Sequence, residues 1–244
     1  MSYAVDAVFD EAARLLEREL RRLQALDQAR DHLTDDKFDS EGVGAMSRAL
    51  TFVICAGILE QLMRDLPAAL SSDICGLQVR RKLLPIGLLA ILETADFRKC
   101  AEQNVNVLTV RSNLVRNIIA HIDDDRVVAS FEEDLKLADG RTVGEKQFAA
   151  LWDMLGLPGD WRNDPKDLFL LKEIQQKRNS IAHWEQDPVA VGRMKSYENL
   201  QSVTRSLGLL LDHVRLHLCE WLDSYAEAPT IPAVGGIRAT RSTV

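Results

Sequence analysis

Between Phe52 and Met63 the chain is apolar on nearly every side of a helix, and this stretch limits the folds open to it. A helix without a polar face has to be enclosed by other elements, so this one is expected to be the most buried in the protein. Its expected span is about Glu41 to Leu66, stopping before Pro67. Glu60 is the charge that interrupts the apolar surface, and it needs a partner wherever it lands. The apolar run from Leu50 to Met63 is too short to cross a bilayer.

The flanking segments supply helical neighbours. Residues 4–33 place Phe9, Ala12, Leu16, Leu20 and Leu23 at three- and four-residue steps, an amphipathic helix. Residues 77–95 read as a further helix, kinked or started by Pro85. The stretch 105–122 reads as helix or strand. Val127–Phe131 and Leu135–Val143 read as two short strands around an Asp139-Gly140 turn signal, giving a small β-hairpin insert at about 126–144. Helix resumes at 145–155. A last long helix spans 191–225, with Leu200, Val203, Leu207, Leu210, Leu211, Val214, Leu218 and Trp221 on one stripe. The tail 226–244 lacks periodicity and is expected to be flexible. The expected architecture is mainly α: a single helical domain over 1–225, with its N-terminal helix at 4–33 and its core at 41–225.

Apolar residues make up 46% and charged residues 27% of the chain, which excludes disordered and collagen-like classes. The N-terminus lacks the basic start and apolar stretch of a signal peptide. Cys55, Cys75, Cys100 and Cys219 are widely spaced, with no paired motif. Cys55 and Cys219 fall in apolar helical stretches and are expected to be reduced core residues. A cytoplasmic protein with no membrane partner is the expectation. The net charge of −7 argues against avid, non-specific nucleic-acid binding while leaving room for a small cleft of local positive charge.

One helix breaks its own pattern. It opens at Asp164, an N-cap residue, with Pro165 at the first helical position, and runs through Leu168, Leu171, Ile174 and Ile181. Arg178 falls on the same arc as those apolar residues, where a charge must find a partner or cost several kcal/mol. Glu60 is the nearest acidic candidate, and pairing would preset the direction of the guanidinium. Asn179 and His183 are four residues apart and stack on one flank beside the arginine. A cation, an amide and an imidazole on one helix edge make a phosphate-handling group.

Arg178-Asn179-Ser180-Ile181-Ala182-His183, at the end of an amphipathic helix and followed by a long helix, resembles the signature of the HEPN superfamily. That signature is an arginine and a histidine separated by four to six residues, commonly with a polar residue after the arginine. The helical pattern of the resemblance covers roughly residues 40–225, and its specific content is six residues. Trp184 is a departure: many relatives have a small residue after the histidine. Its ring can narrow a groove or offer a base a stacking surface.

The resemblance implies a metal-independent endoribonuclease with no cofactor, acting on an RNA substrate as a homodimer with a composite site. By that likeness Arg178 holds the scissile phosphate, since a planar guanidinium matches two phosphate oxygens. His183 is the general base or acid, and Asn179 orients it or donates to phosphate. Lys177 and Trp184 flank the motif as substrate contacts, and Glu60 supports Arg178. RNA supplies its own nucleophile, the 2′-hydroxyl, so the expected products are a 2′,3′-cyclic phosphate and a 5′-hydroxyl, and DNA should survive. Members of the family commonly serve as toxins or as effectors of anti-phage defence, with a neutralising or activating protein partner. Two other readings compete: a non-catalytic HEPN-like module binding a partner protein or a nucleotide, and a plain helical scaffold in which Arg178 is a structural ion pair.

An echo of the motif, Arg116-Asn117-Ile118-Ile119-Ala120-His121, lies 62 residues upstream. Arg116 and His121 form the alternative pair. The downstream copy is preferred because its helix has a clear cap and a long helix after it. Weaker candidates are the acidic run after His121, the His213/His217 pair, and Arg80-Arg81-Lys82 as an RNA-backbone contact. No metal site is expected.

Overall fold

A computed structural model describes residues 2–32, 42–94, 97–98, 107–121, 124–131, 135–138, 140 and 142–227. The loop expected at 34–40 and the tail beyond 227 lie outside the described residues. Helices α1 (Ala4–His32) and α2 (Val43–Gly76) are followed by a 3₁₀ turn at Arg81–Leu83 and the short α3 (Ile86–Leu92). Then come α4 (Val107–His121), α5 (Glu145–Leu155), α6 (Asp167–Ala182), α7 (Pro188–Arg193) and α8 (Tyr197–Ala226). The protein is a mainly α-helical bundle.

The apolar helix takes the central place. α2 packs against α1, α6, α7 and α8, and Phe52, Cys55, Leu59, Met63, Leu66, Leu70 and Ile74 are enclosed. By length and composition it is apolar enough to cross a membrane, and half of its most apolar window is buried inside the bundle. It does not stop at Pro67, as expected, but continues to Gly76. A proline inside a helix costs about 3 kcal/mol. Burial of Leu66, Leu70 and Ile74 offsets this, each worth roughly 1.5–3 kcal/mol.

The two ends of the chain are tied to the middle of the fold. The Asp73 carboxylate of α2 accepts from the backbone N–H groups of Ala4 and Val5 at 2.7 and 2.9 Å, capping α1 from another helix. Within α1 the expected stripe is modified at one site. Leu20 is half-buried, and Glu19 occupies the core side instead, held by Arg22 at 2.6 Å and by the Thr51 hydroxyl at 2.8 Å. Pro85 marks the true start of α3, with a 3₁₀ turn before it. The expected last helix is divided in two. Asp187 caps α7 with Pro188 after it, and Ser196 accepts from the Asn199 N–H to start α8 afresh. Gly192 of α7 lies so close to α2 that a Cβ there would overlap the Ala45 carbonyl, and its own carbonyl accepts from Arg48 Nε at 3.0 Å.

The expected hairpin at 126–144 is not found: no strand forms there among the described residues. Its backbone instead bonds to the end of α2 and the loop behind it. Val128 N–H donates to the Val79 carbonyl at 2.9 Å, and Phe131 N–H donates to the Ser71 hydroxyl at 3.1 Å. Val128, Phe131, Leu135, Leu137 and Val143 are buried in the helical core. The alternation that suggested strands is that of an extended strap anchored on a helix, which supplies the hydrogen-bond partners a second strand would have given.

Candidate active site

Helix α6 begins at Asp167, two residues later than expected, with Lys166 and not Asp164 at the N-cap position; Asp164 instead holds the turn that leads into the helix. The Asp164 carboxylate accepts from Lys166 N–H at 2.7 Å, and the Asp167 carboxylate accepts from Asp164 N–H at 2.8 Å. That reciprocal pair closes the first turn. Leu170, Leu171 and Ile174 then bury the inner face of the helix.

Arg178 leaves that face and meets Glu60 of α2, Nη2 to Oε1, at 3.4 Å. Both side chains keep partial exposure, 30% and 25%. The contact is at ion-pair distance but not aligned as a hydrogen bond, and Glu60 Oε1 is buried without a donor. The attraction is therefore Coulombic and loosely directional, and it leaves the guanidinium N–H groups mostly uncommitted.

Asn179 is held more firmly. Its Oδ1 accepts from the Thr142 hydroxyl at 2.7 Å and from Arg178 Nη1 at 3.3 Å. Gln175 Nε2 donates to the Thr142 carbonyl at 3.2 Å and fixes the strap segment that carries this hydroxyl. With both lone pairs of the amide oxygen occupied, the amide nitrogen is the group left to donate outward.

His183 is the first residue past the helix, and its N–H donates to the Asn179 carbonyl at 3.0 Å. The ring is exposed. Helical geometry puts it one turn above Asn179 and about 140° around the axis from Arg178. Trp184 closes the turn at φ +56°, a left-handed conformation that a bulky residue rarely takes, and is 77% exposed. Its N–H donates to the Ile181 carbonyl at 3.3 Å, and Gln186 N–H donates to the Ser180 carbonyl at 3.2 Å. Lys177 Nζ lies 3.5 Å from Gln186 Oε1, across this turn. The structure thus gathers Glu60, Arg178 and Asn179 beside Thr142 and Gln175, whereas Lys177 lies by Gln186 across the turn that follows, with His183 and Trp184 on that turn and His183 turned away from Arg178 around the axis. Thr142 and Gln175 are invisible to sequence reasoning, because a hydroxyl on the strap gains its meaning only from where the strap lies.

The upstream copy sits on a regular helix, not on a hairpin border. Arg116 is exposed on α4, with Nη1 3.5 Å from Asn113 Oδ1, and His121 is the last residue of that helix. Leu114 is the one buried residue among the described side chains of α4. The Arg80-Arg81-Lys82 run is neutralised in place: Arg80 and Lys82 reach Asp125 at 3.0 and 2.6 Å, and Arg81 reaches Glu93 at 3.0 Å. His213 meets the Asp160 carbonyl through Nε2 at 2.9 Å and stacks on Trp152, with His217 tilted beside it.

Beside the motif an apolar groove of about 460 Å³ runs along the start of α2, lined by Val43, Met46, Leu50, Val53, Ile181 and Pro188. Val43, Met46 and Leu50 are each about half exposed. Comparison of the chain with protein families, with curated proteins and with solved structures finds no match.

Proposed function

We propose that the protein is a metal-independent endoribonuclease of HEPN type, with Arg178, Asn179 and His183 as its reacting groups. The observation that carries this reading is the division of labour around the end of α6. Arg178 is drawn toward one direction by Glu60 without losing its donors, Asn179 is pinned with its amide nitrogen outward, and the His183 ring stands open to solvent. A purely structural arginine would be expected to be enclosed and fully hydrogen-bonded.

In this account the phosphate docks on the Arg178 guanidinium and the Asn179 amide. His183 takes the proton of the 2′-hydroxyl, the 2′-oxygen bonds to phosphorus, and the bond to the 5′-oxygen breaks. The leaving oxygen needs a proton, which the His183 of a second protomer can give. Support for a homodimer comes from the apolar groove: Val43, Met46, Leu50 and Val53 follow a three-four spacing along α2, and the groove reaches Ile181 inside the motif. The toxin or defence setting, and a neutralising or activating partner, are proposed on the family likeness. Lys177 and Trp184 are proposed as contacts to the bound strand, and the cytoplasm as the site of action.

The rival reading is a non-catalytic HEPN-like module that docks a partner protein or nucleotide. The net charge of −7 and the same apolar groove favour it. Induced expression separates the two. Growth arrest with RNA fragments ending in 2′,3′-cyclic phosphate, both relieved by His183→Ala, supports the nuclease. Equal growth and intact RNA in both strains, with a partner captured by wild type, supports the module.

A further inference from the structure

Several cations of this acidic protein are paired with neighbouring carboxylates. Arg14 pairs with Glu11, Arg162 with Asp160, Arg215 with Asp6 and Asp10, and the Arg80–Lys82 run with Glu93 and Asp125. One concave site gathers three lysines against a single acid among the described residues that line it. A cleft of about 500 Å³ opens between the strap residues 135–138 and 142–144, the first turn of α5 and the outer side of α6, and Lys136, Lys146 and Lys172 stand on its rim. Glu145 is the single acid among the described residues lining it, and it lies 3.5 Å from Lys172. Lys136 and Lys146 have no carboxylate partner among the described residues, so the described lining of the cleft holds three ammonium groups against one carboxylate.

The floor of the cleft is built and joined to the motif. Thr142 and Gly144 are buried, and Gln175 Nε2 holds the Thr142 carbonyl. A Cβ on Gly144 would come within 3.2 Å of Gln175 Oε1, so the glycine keeps the gap between strap and helix open. The Thr142 hydroxyl is the donor that pins Asn179. One wall of the cleft is therefore hydrogen-bonded to a residue of the motif. On its other side the cleft meets a second cavity of about 430 Å³, which shares Lys136 and Leu137 and is lined by Arg64 of α2. Arg64 lies one helical turn beyond Glu60, which places one further cation between this second cavity and the Arg178 partner.

We propose that this lysine-rimmed cleft is the track that holds the phosphate backbone of single-stranded RNA leading to Arg178 and His183. The inference rests on the nuclease reading for its substrate and adds the residues that bind the strand away from the reacting phosphate. Lysine suits such a track, because its ammonium is a point charge on a flexible stem and holds phosphates of any sequence. A cleft with local positive charge also resolves how a chain of net charge −7 can take a polyanion.

The test measures binding apart from cleavage. A fluorescent ten-nucleotide single-stranded DNA, which lacks the 2′-hydroxyl, is titrated with the full chain at 50–200 mM salt, and the same is done with RNA on His183→Ala. The lysines are exposed, so the triple variant Lys136→Gln/Lys146→Gln/Lys172→Gln is expected to melt within about 2 °C of wild type. It should bind both strands at least about tenfold more weakly at 50 mM salt, with the salt slope reduced by about 2, since each single-strand phosphate contact contributes about 0.7. The surface variant Arg14→Gln, away from the cleft and the motif, should bind within twofold of wild type. Unchanged binding by the triple variant, no binding by wild type, or a mononucleotide binding as tightly as the oligomer would each overturn the track. If binding depends on the lysines but RNA is never cut, the track stands and the nuclease reading falls. If RNA is cut with the same KM and salt dependence by the triple variant, the nuclease stands and the track falls.

Discussion

Arg178 on α6 and Glu60 on α2 face each other at 3.4 Å across the junction of the two helices. Each is a charge set among apolar residues of its helix, and each lies where the other can partly neutralise it. Because both keep some contact with water, the pair is a positioning device more than a stability device. Arg178→Ala is expected to cost only about 1–2 kcal/mol in urea unfolding, the range for a buried oxygen left without its partner. RNA cleavage should fall by at least about 100-fold. Glu60→Gln should cost under about 1 kcal/mol, with cleavage lowered about tenfold. Loss of stability above about 3 kcal/mol for Arg178→Ala would instead mark a structural arginine.

Trp184 carries a backbone cost that its exposure does not repay within the fold. An L-residue in the left-handed region costs roughly 1–2 kcal/mol, and glycine avoids it. After the entropy glycine adds to the unfolded chain, Trp184→Gly should stabilise the protein by about 0.5–1 kcal/mol. If the ring stacks on a base, the same variant should bind single-stranded RNA at least about fivefold more weakly. Calorimetry and a binding titration on one sample read both effects.

The fold was largely legible in the sequence, and the reasons are local. The all-round apolarity from Phe52 to Met63 correctly marks α2 as the buried element, and the 3.6-residue stripes of α1 and α8 have no other meaning. What was missed depends on neighbours. Pro67 passes as a helix stop until the burial of Leu70 and Ile74 beyond it is known. The strap mimics strands because its alternating apolar residues Leu135, Leu137 and Val143 face a helical core instead of a sheet. In the site, Arg178, Asn179, His183 and the acidic partner Glu60 were readable from one helix and one exception to apolarity. Thr142, Gln175 and the three lysines come from separate segments, and no local pattern links them.

Glu19 is 3% exposed and is paired with Arg22, which also reaches the Ser47 hydroxyl at 2.8 Å and the Thr51 hydroxyl at 3.1 Å. Arg22→Ala leaves a buried carboxylate with one hydroxyl donor. The expected loss is about 3 kcal/mol, whereas Arg14→Ala, at an exposed pair, should leave the midpoint nearly unchanged. Urea midpoints of the two variants check the contrast.

The Asp6–Arg215 contact at 2.8 Å joins α1 to α8 and makes stability pH-dependent. Burial pushes the Asp6 carboxyl up, but the Tyr3 N–H, the Arg215 guanidinium and the Cys219 thiol together hold it below its ordinary value. A carboxyl lowered in the folded state contributes stability above its unfolded pKa of about 3.9 and loses it as pH falls through the folded value. Unfolding free energy should thus decline from about pH 4 downward, and Asp6→Asn should flatten that decline while lowering stability at about pH 7.

The most direct measurement is RNA cleavage in EDTA, on a mixed RNA pool, by wild type, His183→Ala and His121→Ala. Cleavage by wild type and His121→Ala that is lost in His183→Ala, with 2′,3′-cyclic phosphate ends, is the predicted result. Cleavage that survives in His183→Ala and disappears in His121→Ala would contradict the assignment of the site to the end of α6. Intact RNA with all three proteins would contradict the nuclease itself.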